Sequence, residues 1–305
     1  MSNAYRTPVE VPAPDLTLST FDVALPSRAV LQFRPIGAKE MSAVGKNNAS
    51  AQQRLFSLLQ SCHVGTSDRG PYNEAVIGGE ASKATWSRVP WGDVFYAVVG
   101  LYKGSFRRLV GDDNKMADLG GEIVNVAYGD MINFDFTCQG CRKLCNWSVP
   151  TDAILSNCTP IQDDVYDRYS EGLDLVAKLH GKDVLWLPPT FQRDKPFLEM
   201  LEKQGQVEET VVELLAKYLT RVPLDDGRKQ DARAIWMWCL SLSMDDVDSL
   251  LDQIDRDNWG LNSLISVDCD TCGMEQAQML PFGQIFASRR TTASKLIAKA
   301  KRIHD

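Results

Sequence analysis

Phe134-Asp-Phe-Thr-Cys138-Gln-Gly-Cys141 and Ser266-Val-Asp-Cys269-Asp-Thr-Cys272-Gly273 are the two stretches whose reading decides the fold. Each puts a Cys-x-x-Cys pair at the end of a strand-like run, and about 127 residues separate Cys141 from Cys269. A Cys-x-x-Cys turn sets two thiolates on one side of a tight loop, which suits two of the four corners of a tetrahedral metal. The halves become one site only when the chain folds, and an ion there would clamp the ends of a large insertion. Strand–knuckle–strand sequence around both pairs is the layout of a zinc ribbon. Gly273 suits such a knuckle because glycine tolerates positive φ. The expected cofactor is one structural zinc on Cys138, Cys141, Cys269 and Cys272. An iron–sulfur cluster on the same thiolates is the alternative, followed by two redox dithiols or four unligated cysteines. Four thiolates leave no open position for water, so such a site contributes folding free energy and no chemistry.

The other cysteines divide by context. Cys145 extends the first pair to C-x2-C-x3-C and reads as a free thiol beside the site, with a substitute ligand as the second option. Cys62 and Cys239 fall in apolar helical patterns and read as core, while Cys158 fits no pattern. With 305 residues, 44% hydrophobic and 24% charged, the chain has enough apolar sequence for one large domain or two medium ones. A net charge of −7 argues against a general polyanion binder. No run of about eighteen apolar residues exists, which predicts no membrane span. Residues 1–15 are polar and lack an apolar h-region, so they do not read as a secretory signal. Eight cysteines without such a signal fit a reducing cytoplasm.

The pattern along the chain predicts an α+β protein. Residues 1–20, with Pro8, Pro12 and Pro14, read as a flexible arm. Residues 21–36 read as a hairpin about Pro26-Ser27, 38–62 as a helix, 64–90 as a long loop, and a buried helix opens near Trp91. Residues 123–136 read as the strand entering the first knuckle. Thr159-Pro160-Ile161-Gln162 then looks like a helix start, the helix running to about His180 with Gly181 as its stop, and 183–195 as a loop. Helices over 207–222, 228–242 and 245–255 complete a helical block, with Gly260 just beyond. A strand over 264–268 enters the second knuckle, and an apolar run over 280–286 leaves it. The organisation is an arm (1–20), a mixed α/β domain (21–137), a zinc ribbon (138–287) interrupted by a helical insertion (about 159–258), and a basic C-terminal helix (288–305).

Catalytic signatures do not emerge. His63, His180 and His304 lie in no HExxH and beside no serine or cysteine nucleophile at a recognisable spacing, and a helix-end position suits His180. There is no Walker A sequence, and Gly78-Gly79 and Gly120-Gly121 do not follow a dinucleotide pattern. A calcium loop opening at Asp255 would need glutamate where Ser266 stands. A protein without enzymatic activity is expected. Arg289, Arg290, Lys295, Lys299, Lys301 and Arg302 surround Ala293, Leu296, Ile297 and Ala300, predicting a basic amphipathic helix. It would dock on its own domain or meet an acidic neighbouring subunit, and the lack of interleaved aromatics disfavours nucleic acid.

Several landmarks occur in order. They are Asp22-Val-Ala-Leu25-Pro26-Ser27, then Trp91-Gly-Asp93 opening an apolar helix, then Phe134-Asp-Phe-Thr-Cys138-Gln-Gly-Cys141. The helix at 244–254, Trp259-Gly260-Leu261, and Val267 to Gln276 around the second knuckle complete them. Spread over about residues 22–287, this order resembles the T-even-like bacteriophage baseplate family, whose members include hub components and hub-assembly proteins of contractile tails. The first knuckle departs from it in lacking a proline after the first cysteine, and the basic tail is not one of its landmarks. The resemblance implies a non-enzymatic structural subunit of the virion's tail baseplate, assembled in the host cytoplasm. A transient hub-assembly chaperone absent from the mature virion is the alternative it also allows. The implied partners are other baseplate and tail proteins, with self-association a further option, and no membrane. From a different class, a zinc-ribbon protein acting on nucleic acid is the remaining reading, disfavoured by the acidic balance.

Overall fold

Alternating apolar residues set the first sheet. β1 (Phe21–Ala24) and β2 (Val30–Phe33) turn Val23, Leu31 and Phe33 inward and pair antiparallel, and β3 (His63–Asp68) pairs with the other edge of β2. In this computed structural model the described residues are 20–37, 40, 50–78, 84–110, 131–203, 210–224 and 230–280. The expected arm up to residue 19, most of the helix stretch before residue 50, the strand start at 123–130, the run at 281–286 and the basic helix at 288–305 lie outside them. α1 (Ala51–Cys62) opens with a capping box between Ser50 and Gln53 and buries Leu55, Leu58, Leu59 and Cys62. α2 (Trp91–Val110) buries Val94, Ala97, Val98, Val99 and Leu101, as its missing polar face predicts. The expected loop at 64–90 instead begins with β3. Pairing with β2 supplies a strand where the composition, Gly65-Thr66-Ser67, offers little β signal.

Both knuckles cap antiparallel hairpins. β4 (Met131–Thr137) pairs with β5 (Leu144–Pro150), and β11 (Leu264–Asp268) pairs with β12 (Glu275–Met279). Ile132, Phe134, Phe136, Val149 and Val267 face inward and join the core of the N-terminal sheet and α2.

Between the hairpins lies an insertion with its own core, running from Ile161 to Trp259. α3 (Thr151–Ser156) leads out of β5, and β6 (Cys158–Thr159) pairs with β10 (Gly260–Leu261) to close the neck. The insertion is not purely helical as expected. It holds α4 (Asp163–Ser170), β7 (Leu175–Leu179), β8 (Lys182–Trp186), α5 (Phe191–Lys203), α6 (Val211–Tyr218), β9 (Leu219–Arg221), α7 (Ala232–Leu240) and α8 (Met244–Asp257), with β7, β8 and β9 forming one sheet. The helix expected up to His180 stops ten residues early, at Ser170, and Leu175-Val-Ala-Lys-Leu179 adopts strand alternation with Leu175, Ala177 and Leu179 buried. His180 and Gly181, at φ 50° and 77°, are the two central residues of a tight β-hairpin, so Gly181 turns strands and stops no helix. The expected loop at 183–195 contains β8 and the start of α5. Thr159 is held in β6, so α4 starts from Gln162 and not from Thr159. Among the described residues the chain is thus mixed α/β, with eight α-helices and five small antiparallel sheets.

The insertion packs on the N-terminal unit along a seam at the start of α2. Pro26 O accepts from Ile161 N at 3.0 Å, and Arg28 donates to Ile161 O at 3.0 Å while pairing with Asp163 and lying 5.1 Å over the Tyr166 ring. Trp91 donates its indole N–H to Asp194 at 2.8 Å and stacks on Phe56, whose ring meets Phe191 edge-on. Gly92 faces Gly260 so closely that a Cβ on Gly92 would lie 2.6 Å from Gly260 Cα. Beneath them Asp93 is fully buried, with the Tyr72 hydroxyl donating to it and Ser27 and Trp259 beside it. Burial pushes its carboxyl up to about 6.

Candidate metal centre

The two knuckles repeat one backbone geometry. In the first, Cys138 N–H donates to Lys143 O at 2.9 Å and Arg142 N–H to Cys138 O at 3.0 Å. In the second, Cys269 N–H donates to Met274 O at 3.0 Å and Gly273 N–H to Cys269 O at 2.8 Å. The residue after the second cysteine is left-handed in both, Gly273 at φ 67° and Arg142 at φ 61°. Glycine meets that requirement without strain, whereas a side chain there costs about 1–2 kcal/mol.

Folding brings the four predicted thiols together, their sulfurs all within 4.8 Å of one another. The short approaches cross between knuckles, Cys138 to Cys272 at 3.6 Å and Cys141 to Cys269 at 3.6 Å. Metal–sulfur bonds of about 2.3 Å in a tetrahedron put neighbouring sulfurs about 3.8 Å apart, so the spacing fits one ion. A disulfide needs about 2.05 Å, and all eight cysteines are free. Among the described residues this is the one cluster of His, Cys, Asp or Glu fit to hold a metal such as zinc. Cys138 and Cys269 are buried, Cys141 is half-buried and Cys272 is exposed. Gln276 on β12 ties the knuckles by accepting from Gln139 N–H at 2.9 Å. Met274 packs so close to Gly140 that a Cβ there would lie 2.7 Å from its sulfur. The N–H groups of Cys272 and Thr271 point at Cys269 and bring its thiol down to about 6, favouring the thiolate that a metal requires.

No protein-family model, curated protein or solved structure matches the chain.

Cys145 is a free thiol beside the cluster, as the sequence predicts, its sulfur 3.5 Å from that of Cys269. Its pairing with Phe136 turns it to the inner face of β5, where burial pushes its thiol up to about 11. The signal was legible: a knuckle of this length pairs residues 137 and 144, which turns residue 145 inward with Phe136. Cys62 and Cys239 are buried in the two cores, and Cys158 sits half-buried in β6. His63 is a core residue, its Nε2 2.7 Å from Gly65 O and its Nδ1 accepting from Ala84 N at 3.2 Å. His180 sits in a hairpin turn and not at a helix end, its Nε2 3.0 Å from Asp246 Oδ1 at the start of α8. His304 lies outside the described residues. Among those residues no helix is long and apolar enough to cross a membrane.

Proposed function

We propose that this chain is a non-enzymatic structural subunit of a contractile bacteriophage tail baseplate, built on a zinc ribbon whose Cys138, Cys141, Cys269 and Cys272 hold one structural zinc. The observation that carries the mechanical part is the convergence of four thiols from two congruent hairpin knuckles that are remote in sequence. Sulfurs this close converge on one ion better than on the several irons of a cluster. Four thiolates fill a tetrahedral ion, so the site supplies rigidity and offers substrate no open position.

The four thiols lie at the tips of the β4–β5 and β11–β12 hairpins, and the seam at α2 holds the neck of the insertion, where Gly92 packs on Gly260 of the β6–β10 pair. A body fixed at two places keeps its surfaces in constant relation, which is what a subunit among many neighbours needs. The tail assignment is supported by the ordered landmarks from Asp22 to Gln276 and by their resemblance to baseplate proteins. Its partners are then other tail proteins, met through surfaces of this rigid body.

Mass spectrometry of purified virions tests the assignment. The chain should appear at a fixed copy number per particle. Its presence in infected cells but absence from finished particles would replace the retained subunit with an assembly chaperone. Absence from both the particles and their assembly intermediates would remove the tail reading.

A further inference from the structure

We propose that Cys145 is a spare ligand of the cysteine centre, able to complete the coordination sphere with Cys138, Cys141 and Cys269 when Cys272 is blocked. The inference rests on the metal-site reading above and deepens it. Five thiols occupy this corner of the fold, one more than a tetrahedral ion can use. The sulfur of Cys145 lies 3.5 Å from that of Cys269, a thiol that both ligand sets would share.

The two candidates for the fourth corner differ in environment. Cys145 stands on the buried face of β5, held by the register of a seven-residue strand pair. Cys272 is exposed at the tip of the second knuckle, next to Gly273, where a Cβ would meet nothing within 4 Å. Cys272 is therefore the thiol that an electrophile reaches first, and Cys145 the one that solvent reagents reach with difficulty. In the exchange Cys272 gives up its bond to the ion, Cys145 forms one, and the Cys145 proton leaves to solvent. The hairpins stay joined because each still contributes: Cys138, Cys141 and Cys145 from one, Cys269 from the other.

The test uses the full chain and cobalt(II), whose sulfur-to-metal charge-transfer intensity counts thiolate ligands. Wild type and C145S should show the same four-thiolate spectrum. C272S should keep that spectrum, with affinity about tenfold weaker, and C145S/C272S should drop to the three-thiolate intensity. A C272S spectrum equal to that of the double variant overturns the spare-ligand role while leaving the metal site intact. Failure of the wild-type chain to bind cobalt(II) or zinc overturns the site itself, and this inference with it. Should C272S not fold, the zinc-loaded wild type is treated with iodoacetamide, which forms a carbon–sulfur bond at the thiol and releases iodide. Native mass spectrometry should then find a single adduct, mapped to Cys272, on protein that retains zinc. Loss of zinc with that first adduct overturns the proposal.

Discussion

The cysteine centre and the Asp93 seam bring remote segments together by different means. Each joins the N-terminal unit to chain more than a hundred residues away, Cys138 to Cys272 in one and Ser27 and Asp93 to Trp259 in the other. The centre gathers four thiol side chains within 4.8 Å of one another. The seam relies on close backbone approach at Gly92 and Gly260, aromatic packing about Trp91, and the buried carboxyls of Asp93 and Asp194. A joint built on paired thiols announces itself by residue type and spacing, whereas a packed joint is hidden until the surfaces meet.

The two joints should respond differently when broken. Cys269→Ser removes the most buried thiol of the second knuckle and leaves three ligands. We expect loss of bound zinc and destabilisation by about 4 kcal/mol or more, read by metal analysis and thermal melting. Unchanged metal content and melting would sink the clamp. Gly92→Ala attacks the seam, since its Cβ would lie 2.6 Å from Gly260 Cα and backbone cannot yield cheaply. The expected cost is about 3 kcal/mol with zinc content unchanged. Loss of metal in that variant would mean that the joints are one cooperative unit.

Asp93 adds a pH dependence to the seam. Its carboxyl is raised to about 6, against about 3.9 in an unfolded chain, so between these values the folded protein keeps a proton that the unfolded chain has lost. Stability from this group therefore falls as pH rises from about 4 to about 6 and is level outside that window. Asp93→Asn removes the fall. Relative to wild type the variant should gain about 2 kcal/mol between pH 4 and pH 7, measured as the change in their stability difference. A difference independent of pH would show that Asp93 is not held as a neutral acid. The smallest effect compares the knuckles with each other. Arg142→Gly should stabilise by about 1 kcal/mol and Gly273→Ala should destabilise by about as much, because both positions are left-handed. Equal responses of the same sign would break the equivalence of the two turns.

Legibility in the sequence followed the range of the forces involved. The two thiol pairs, the strand at Leu264–Asp268, the buried helix from Trp91 and the left-handed role of Gly273 are readable, because each depends on residues a few positions apart. The β7–β8 hairpin was misread. His180-Gly181 after an apolar stretch has the same appearance as a helix stop, and only pairing with β8 and β9 separates the two. β3 was missed for a related reason, since its strand character comes from β2 and not from its own side chains. Asp93 was noted only as the opening of a helix, because burial of a carboxyl is invisible until Tyr72, Ser27 and Trp259 close over it.

The thiols, their spacing and the turns that present them are written in the chain, since these are local chemical facts carried by side-chain type and backbone conformation. That the insertion carries a sheet, that a fifth thiol lies against Cys269, and that a buried acid sits between the two cores came only with the tertiary fold. Those outcomes arise from contacts between segments far apart in order, and their free energy exists only once the segments have met.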